Sequence, residues 1–171
     1  YYFNDEIRFA TRGSFTSEQA LKATEIWKDK YERHFDESLN IEFPITLLVE
    51  IIYPDNRIVV DYGKEEKLVL LGVNNLFSDD NIRDISYEEV VAEADDMYMP
   101  VTKDYALSIE KMMKMKQSIS ANEEGWIVRF ENGKRLKIKG DEYCQVHRIK
   151  HGMSTKAKYR AWSENRLQDY I

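Results

Sequence analysis

One cysteine, Cys144, stands in the 171 residues, so no disulfide can close within the chain; this points to an intracellular, cytoplasmic protein. No apolar run reaches membrane-spanning length and no signal-peptide pattern is present, so no membrane contact is expected. Internal repeats and low-complexity segments are absent too. The chain does not begin with Met, and the expectation is a fragment of a longer protein. What remains is a globular composition, 43% hydrophobic and 33% charged, long enough for one domain with a sizeable core. The net charge of −6 argues against non-specific nucleic-acid binding, but the charge is unevenly spread. Lys134 to Arg166 holds ten Lys/Arg against three Asp/Glu, whereas Tyr1 to Gly133 holds 27 acids against 15 bases. Such asymmetry suits a surface that tracks a phosphate backbone, and equally suits ordinary basic helices.

The most informative stretch runs from Glu124 to Lys139. It reads as two strands joined by a tight turn at Asn132-Gly133, a pair that tolerates the positive φ of tight hairpins. Alternation places Leu136 and Ile138 on one face and Lys137 and Lys139 on the other. An apolar anchor backing two ammonium groups can grip a polyphosphate, and Glu124 would enter the same site as a metal-side carboxylate. Alternating lysines also serve as a solvated or edge-protecting face.

Along the chain, Tyr1 to Arg12 suggests a hairpin turning at Asn4-Asp5, followed by Gly13 in a conformation other residues resist. Thr16 is the expected cap of a helix reaching about Phe35, with Gln19 closing a capping box and Phe15 stapled against Ala20. Ala20, Ala23, Trp27, Tyr31 and Phe35 form its core stripe. Ile45 to Tyr53 reads as a strand, with Glu50 costly between Leu48 and Ile52 unless partnered or at a strand end. A turn at Pro54-Asp55-Asn56 leads into return strands over Arg57 to Tyr62 and Lys67 to Val73. Helices are expected from Ser86 to about Asp95 and from Asp104 to about Ser118, then over Asp141 to His151 and Thr155 to Tyr170. Met112, Met113 and Met115 suit an adaptable core. His147 and His151 lie four apart, a ligand spacing, but without a third ligand they read as surface histidines.

Glu124-Gly125-Trp126-Ile127-Val128 followed by Leu136-Lys137-Ile138-Lys139 resembles motifs IV and V of the covalent nucleotidyltransferases, the superfamily of RNA ligases, DNA ligases and capping enzymes. Thr11-Arg12-Gly13-Ser14 resembles motif Ia. Leu47 to Tyr62, with its run Pro54-Asp55-Asn56-Arg57-Ile58-Val59-Val60, resembles the motif III region of the T4 RNA ligase 1-like family, and Leu68 to Val73 the strand after it, motif IIIa. The motifs stand in family order over nearly the whole chain. The family's nucleophile is a lysine in a Lys-x-Asp-Gly motif upstream of motif Ia. No Asp-Gly pair occurs here, and the expectation is a chain that opens just downstream of that motif and is inactive by itself.

The resemblance implies an α+β nucleotidyltransferase (ATP-grasp-like) domain over 1–171, its antiparallel sheets enclosing a nucleotide groove, with peripheral helices and 141–171 as a helical C-terminal extension. It implies ATP and Mg²⁺ as cofactors, RNA 5′-phosphate and 3′-hydroxyl ends as partners, and ligation through enzyme–AMP and RNA-adenylate intermediates. In that scheme Lys137 and Lys139 contact the α-phosphate, and their positive potential helps keep an attacking lysine unprotonated. Glu124 supports Mg²⁺, Glu50 holds ribose hydroxyls or metal, Arg12 meets phosphate or ribose, and Leu70 walls the adenine. A capping-type or DNA-ligase enzyme and a non-catalytic RNA- or nucleotide-binding module are the alternatives.

Overall fold

The computed structural model describes residues 2–3, 6–35, 45–75, 83–148 and 154–165. Helices and antiparallel sheets are mixed, as an α+β chain requires. The chain divides into two compact units, one of Tyr1–Asn56 with Gly63–Asp104, the other of Arg57–Tyr62 with Tyr105–Ile171.

The first unit opens with paired strands β1 (Tyr2–Phe3) and β2 (Glu6–Ile7); the expected turn residues Asn4 and Asp5 lie outside the described residues. Thr11 and Ser14 exchange backbone hydrogen bonds of 2.9 and 3.3 Å, putting Arg12 and Gly13 at the tip of a tight turn. Gly13 is not at positive φ, so the freedom expected of it is unused. Helix α1 spans Glu18–Lys30 and is capped by Ser17, whose Oγ accepts from the Ala20 N–H at 3.2 Å. The hydroxyl of Thr16, the expected cap, lies 3.3 Å from Ser14 Oγ instead, and the helix starts one residue later. Gln19 then closes no box, and Phe15 is exposed rather than stapled. The helix ends at Lys30 and tightens into a 3₁₀ turn over Glu32–His34.

The core stripe is as the spacing predicts, with Ile26 added to it. Trp27 is 1% exposed and centres an aromatic cluster, its ring 5.9 Å from Phe9, 6.1 Å from Tyr31 and 5.6 Å from Phe35. Strand β3 (Ile45–Ile52) pairs antiparallel with β4 (Lys67–Asn75), which also pairs with β5 (Arg83–Asp84). The β3–β4 register shifts between Leu48 and Val49, leaving Leu71 as an extra residue. That bulge explains the burial: Leu68, Leu70 and Val73 all face the core although Val73 has the wrong parity for an unbroken strand, while Leu71 is 42% exposed.

Helix α2 (Tyr87–Asp96) carries a full capping box: Ser86 N–H donates to Glu89 Oε2 at 2.7 Å and Glu89 N–H to Ser86 Oγ at 3.2 Å. It ends in a Schellman arrangement, Met99 N–H donating to Ala94 O at 2.8 Å and Tyr98 N–H to Asp95 O at 3.1 Å. Tyr98 therefore sits at φ +54, where glycine is usual.

Arg57 to Tyr62 is not the expected return strand. The Asp61 backbone bonds a side chain instead of a strand: its N–H donates to Asn122 Oδ1, and Asn122 Nδ2 donates back to Asp61 O at 3.4 Å. Arg57 pairs with Asp61 at 2.7 Å, and Val59 is buried. This segment belongs to the second unit. There, helix α3 is limited to Ile109–Met115, because Ser108, not a residue near Asp104, accepts the capping bond, from Lys111 N–H at 3.2 Å. Met112 is buried, but Met113 is 46% exposed, so only part of the methionine set packs as expected. Strands β6 (Gly125–Arg129) and β7 (Arg135–Lys139) form the second unit's hairpin, followed by α4 (Asp141–His147) and α5 (Thr155–Ser163). The expected helical residues 149–151 and 166–170 lie outside the described residues, His151 among them. Among the described residues no helix is long and apolar enough to cross a membrane.

Left-handed backbone costs a non-glycine residue roughly 1–2 kcal/mol. Tyr98→Gly is accordingly expected to raise stability by up to about 1 kcal/mol after glycine's own entropy is subtracted, read as a higher urea midpoint. A lower midpoint would mean that the stacking of Tyr98 on His34, with ring centroids 4.4 Å apart, outweighs the strain.

Candidate functional site

The site is built on the β6–β7 ladder, which pairs Gly125 with Lys139, Trp126 with Ile138, Ile127 with Lys137, Val128 with Leu136 and Arg129 with Arg135. The connection is a three-residue loop. Phe130 N–H donates to Lys134 O and Gly133 N–H to Phe130 O, both at 2.9 Å. Only Gly133 takes positive φ, at +76; Asn132 does not, and instead accepts the Lys134 N–H on its Oδ1 at 3.1 Å. The expected two-residue Asn-Gly turn is thus replaced by a type I turn closed by a glycine, which suits the same residues without straining Asn132.

This register separates the faces as alternation predicts. Ile138 is buried and Trp126 and Val128 are half-buried on one face, although Leu136 is 46% exposed. The opposite face carries Ile127, Arg129, Arg135, Lys137 and Lys139. At Gly125, at φ +136, the facing strand leaves no room for a side chain: an added Cβ would lie 2.0 Å from Ile138 O. Glu124 is fastened beside it, its carbonyl accepting the Gly140 N–H at 2.9 Å.

Glu124, Lys137 and Lys139 are brought together. One oxygen, Glu124 Oε1, accepts from Lys137 Nζ at 2.7 Å and from Lys139 Nζ at 3.0 Å. Burial pushes the Glu124 carboxyl up, but hydrogen bonds and charge from the two lysines outweigh it and hold the group below the ordinary carboxylate range. Lys139 has a further partner that the sequence reading missed: its Nζ lies 5.0 Å over the Tyr143 ring. Tyr143 is buried on α4, and His147 stacks against it at 5.8 Å. Tyr143 stands on the first turn of α4, whose start at Asp141 is as expected; its approach to Lys139 carries no signal along the chain. Lys116 Nζ on Asp141 at 2.6 Å and Ala121 N–H on Glu142 at 3.0 Å hold the start of α4 to the segment before β6.

The other expected site residues lie in the first unit. Arg12 is exposed at its turn. Glu50 is exposed on β3 opposite Val69, so the burial cost expected between Leu48 and Ile52 does not arise. Leu70 is 0% exposed, packed in the core with its N–H on Pro100 O at 2.8 Å. Among the described residues no group of three or more His, Cys, Asp or Glu side chains is placed to hold a metal ion. No model of a known protein family matches the chain.

Two outcomes follow from this geometry. Gly125→Ala should destabilise the second unit by more than about 2 kcal/mol, because both φ and the Ile138 carbonyl forbid the methyl; an unchanged thermal midpoint would refute that close approach. The lysine partners lower the folded-state Glu124 pKa, so their contribution to stability is present above the unfolded value and is lost as pH falls through the folded one. Glu124→Gln should therefore flatten the pH dependence of stability across that acidic window, measured by denaturant unfolding at stepped pH.

Proposed function

We propose that this chain is the adenylyltransferase part of an ATP-dependent RNA ligase with a nucleotidyltransferase fold, joining 5′-phosphate to 3′-hydroxyl RNA ends. The observation that carries the reading is the meeting of Glu124 with Lys137 and Lys139 on the exposed hairpin face, in the stretch that resembles motifs IV and V. The resemblance of Leu47 to Tyr62 to motif III favours RNA ligation over capping or DNA ligation.

Each step of such a reaction is an in-line displacement at phosphorus, where positioning and neutralisation of non-bridging oxygens do most of the catalysis. Lys137 and Lys139 supply two compact cations to the α-phosphate. Tyr143 beneath Lys139 orients that ammonium without neutralising it. Mg²⁺ takes a carboxylate together with phosphate oxygens and water, and Glu124 would hold it once its carboxylate has left the two ammonium groups; the ion would supply further positive charge to the phosphate. Leu70, wholly buried in the first unit's core, offers no surface to an adenine, whereas Arg12 and Glu50 are exposed.

A nucleotide- or RNA-binding module without catalysis is the second reading, favoured by the absence of any Asp-Gly pair. Radioactive ATP separates the two. This stretch by itself is expected to take no covalent label. Joined to a Lys-x-Asp-Gly segment, it should be labelled on that segment's lysine, and Lys137→Ala should lower labelling at least about a hundredfold, the scale of losing one transition-state donor. Full labelling in Lys137→Ala removes that residue from the site, and no labelling of the joined protein favours the binding module.

A further inference from the structure

We infer that Glu124 is an internal anion which a phosphate ligand must displace: the two-lysine subsite takes a polyphosphate in exchange for the Glu124 carboxylate, not beside it. The inference rests on the proposed phosphate-binding role of Lys137 and Lys139 and names what sets their affinity.

Both ammonium groups converge on Glu124 Oε1, at 2.7 and 3.0 Å, so the point within reach of both is already held by an anionic oxygen. A phosphoryl oxygen bridging the same two Nζ atoms would need that position. If it bound alongside, it would stand next to a carboxylate held ionised by the same lysines. Two anions held against the same pair of ammonium groups repel each other, so co-occupancy is disfavoured.

The surroundings allow the exchange. The backbone at Glu124 is held by the Gly140 N–H and by the close strand approach at Gly125, so the carboxylate departs by side-chain rotation and not by a shift of the strand. The carboxylate is about a third exposed, with water to receive it. Lys139 keeps its place over Tyr143 when the carboxylate departs. Lys137 stands opposite Ile127, itself 57% exposed, on the open face of the ladder. Each ammonium has three donors, so a phosphate can replace the carboxylate bond for bond and add more.

Inorganic tripolyphosphate tests the exchange without adenosine or metal. Calorimetry at low salt should show Glu124→Gln binding it about tenfold tighter than the native chain, and Lys137→Ala binding it at least tenfold more weakly. A Glu124→Gln that binds equally or more weakly overturns the exchange. A second measurement needs no variant: in ¹³C-labelled native protein, the Glu124 carboxyl resonance should shift on tripolyphosphate addition as it loses both ammonium partners, and an unmoved resonance at saturation would overturn the proposal. The nucleotide reading fails separately. Tighter binding by Glu124→Gln with no preference of the native chain for ATP over GTP or NAD sustains the exchange and removes the adenylyltransferase. ATP preference with an unmoved Glu124 resonance does the reverse.

Discussion

At Gly125 the two strands of the hairpin come too close for any side chain, and the local chemistry depends on that approach. A Cβ there would press on the Ile138 carbonyl, so the positive φ and the missing side chain are one requirement. The approach brings Gly125 against Lys139 and sets Glu124, one residue earlier, at the end of the ladder where Lys137 and Lys139 can both reach it. Alternation then does the sorting. Ile138 goes inward while the lysines on either side go outward.

Charge and burial oppose each other at this point, and charge prevails. A half-buried carboxyl alone would rise in pKa; two ammonium groups on one oxygen reverse the sign. The cluster retains one net positive charge, and its members are all partly open to water. The ion pairs therefore add little to stability, and their importance lies in presenting concentrated positive charge next to a replaceable anion. The aromatic ring under Lys139 holds the cation without cancelling its charge.

The first unit solves a different problem, that of burying a strand whose apolar residues do not keep a strict period of two. The extra residue Leu71 resets the parity so that Leu68, Leu70 and Val73 share the core. Around them Trp27 gathers Phe9, Tyr31 and Phe35. Glu50 stays outside this core, opposite Val69.

Much of this was legible from residue order alone. Local signals worked wherever one interaction decides the outcome: Ser86 with Glu89 closes its box, the α1 stripe is buried, and the lysines of β7 share a face. They failed where several groups compete for one partner. The Thr16 hydroxyl lies against Ser14 while Ser17 caps the helix, and in the segment Arg57 to Tyr62 the backbone of Asp61 bonds the Asn122 side chain. Residue order alone imposes the two-residue alternation that points Lys137 and Lys139 the same way, since pleating follows from the backbone. Only tertiary structure decided that one oxygen of Glu124 is shared between them and that Tyr143 lies under Lys139. Those contacts depend on the approach of strand to strand and on the start of α4, distances that no spacing along the chain encodes.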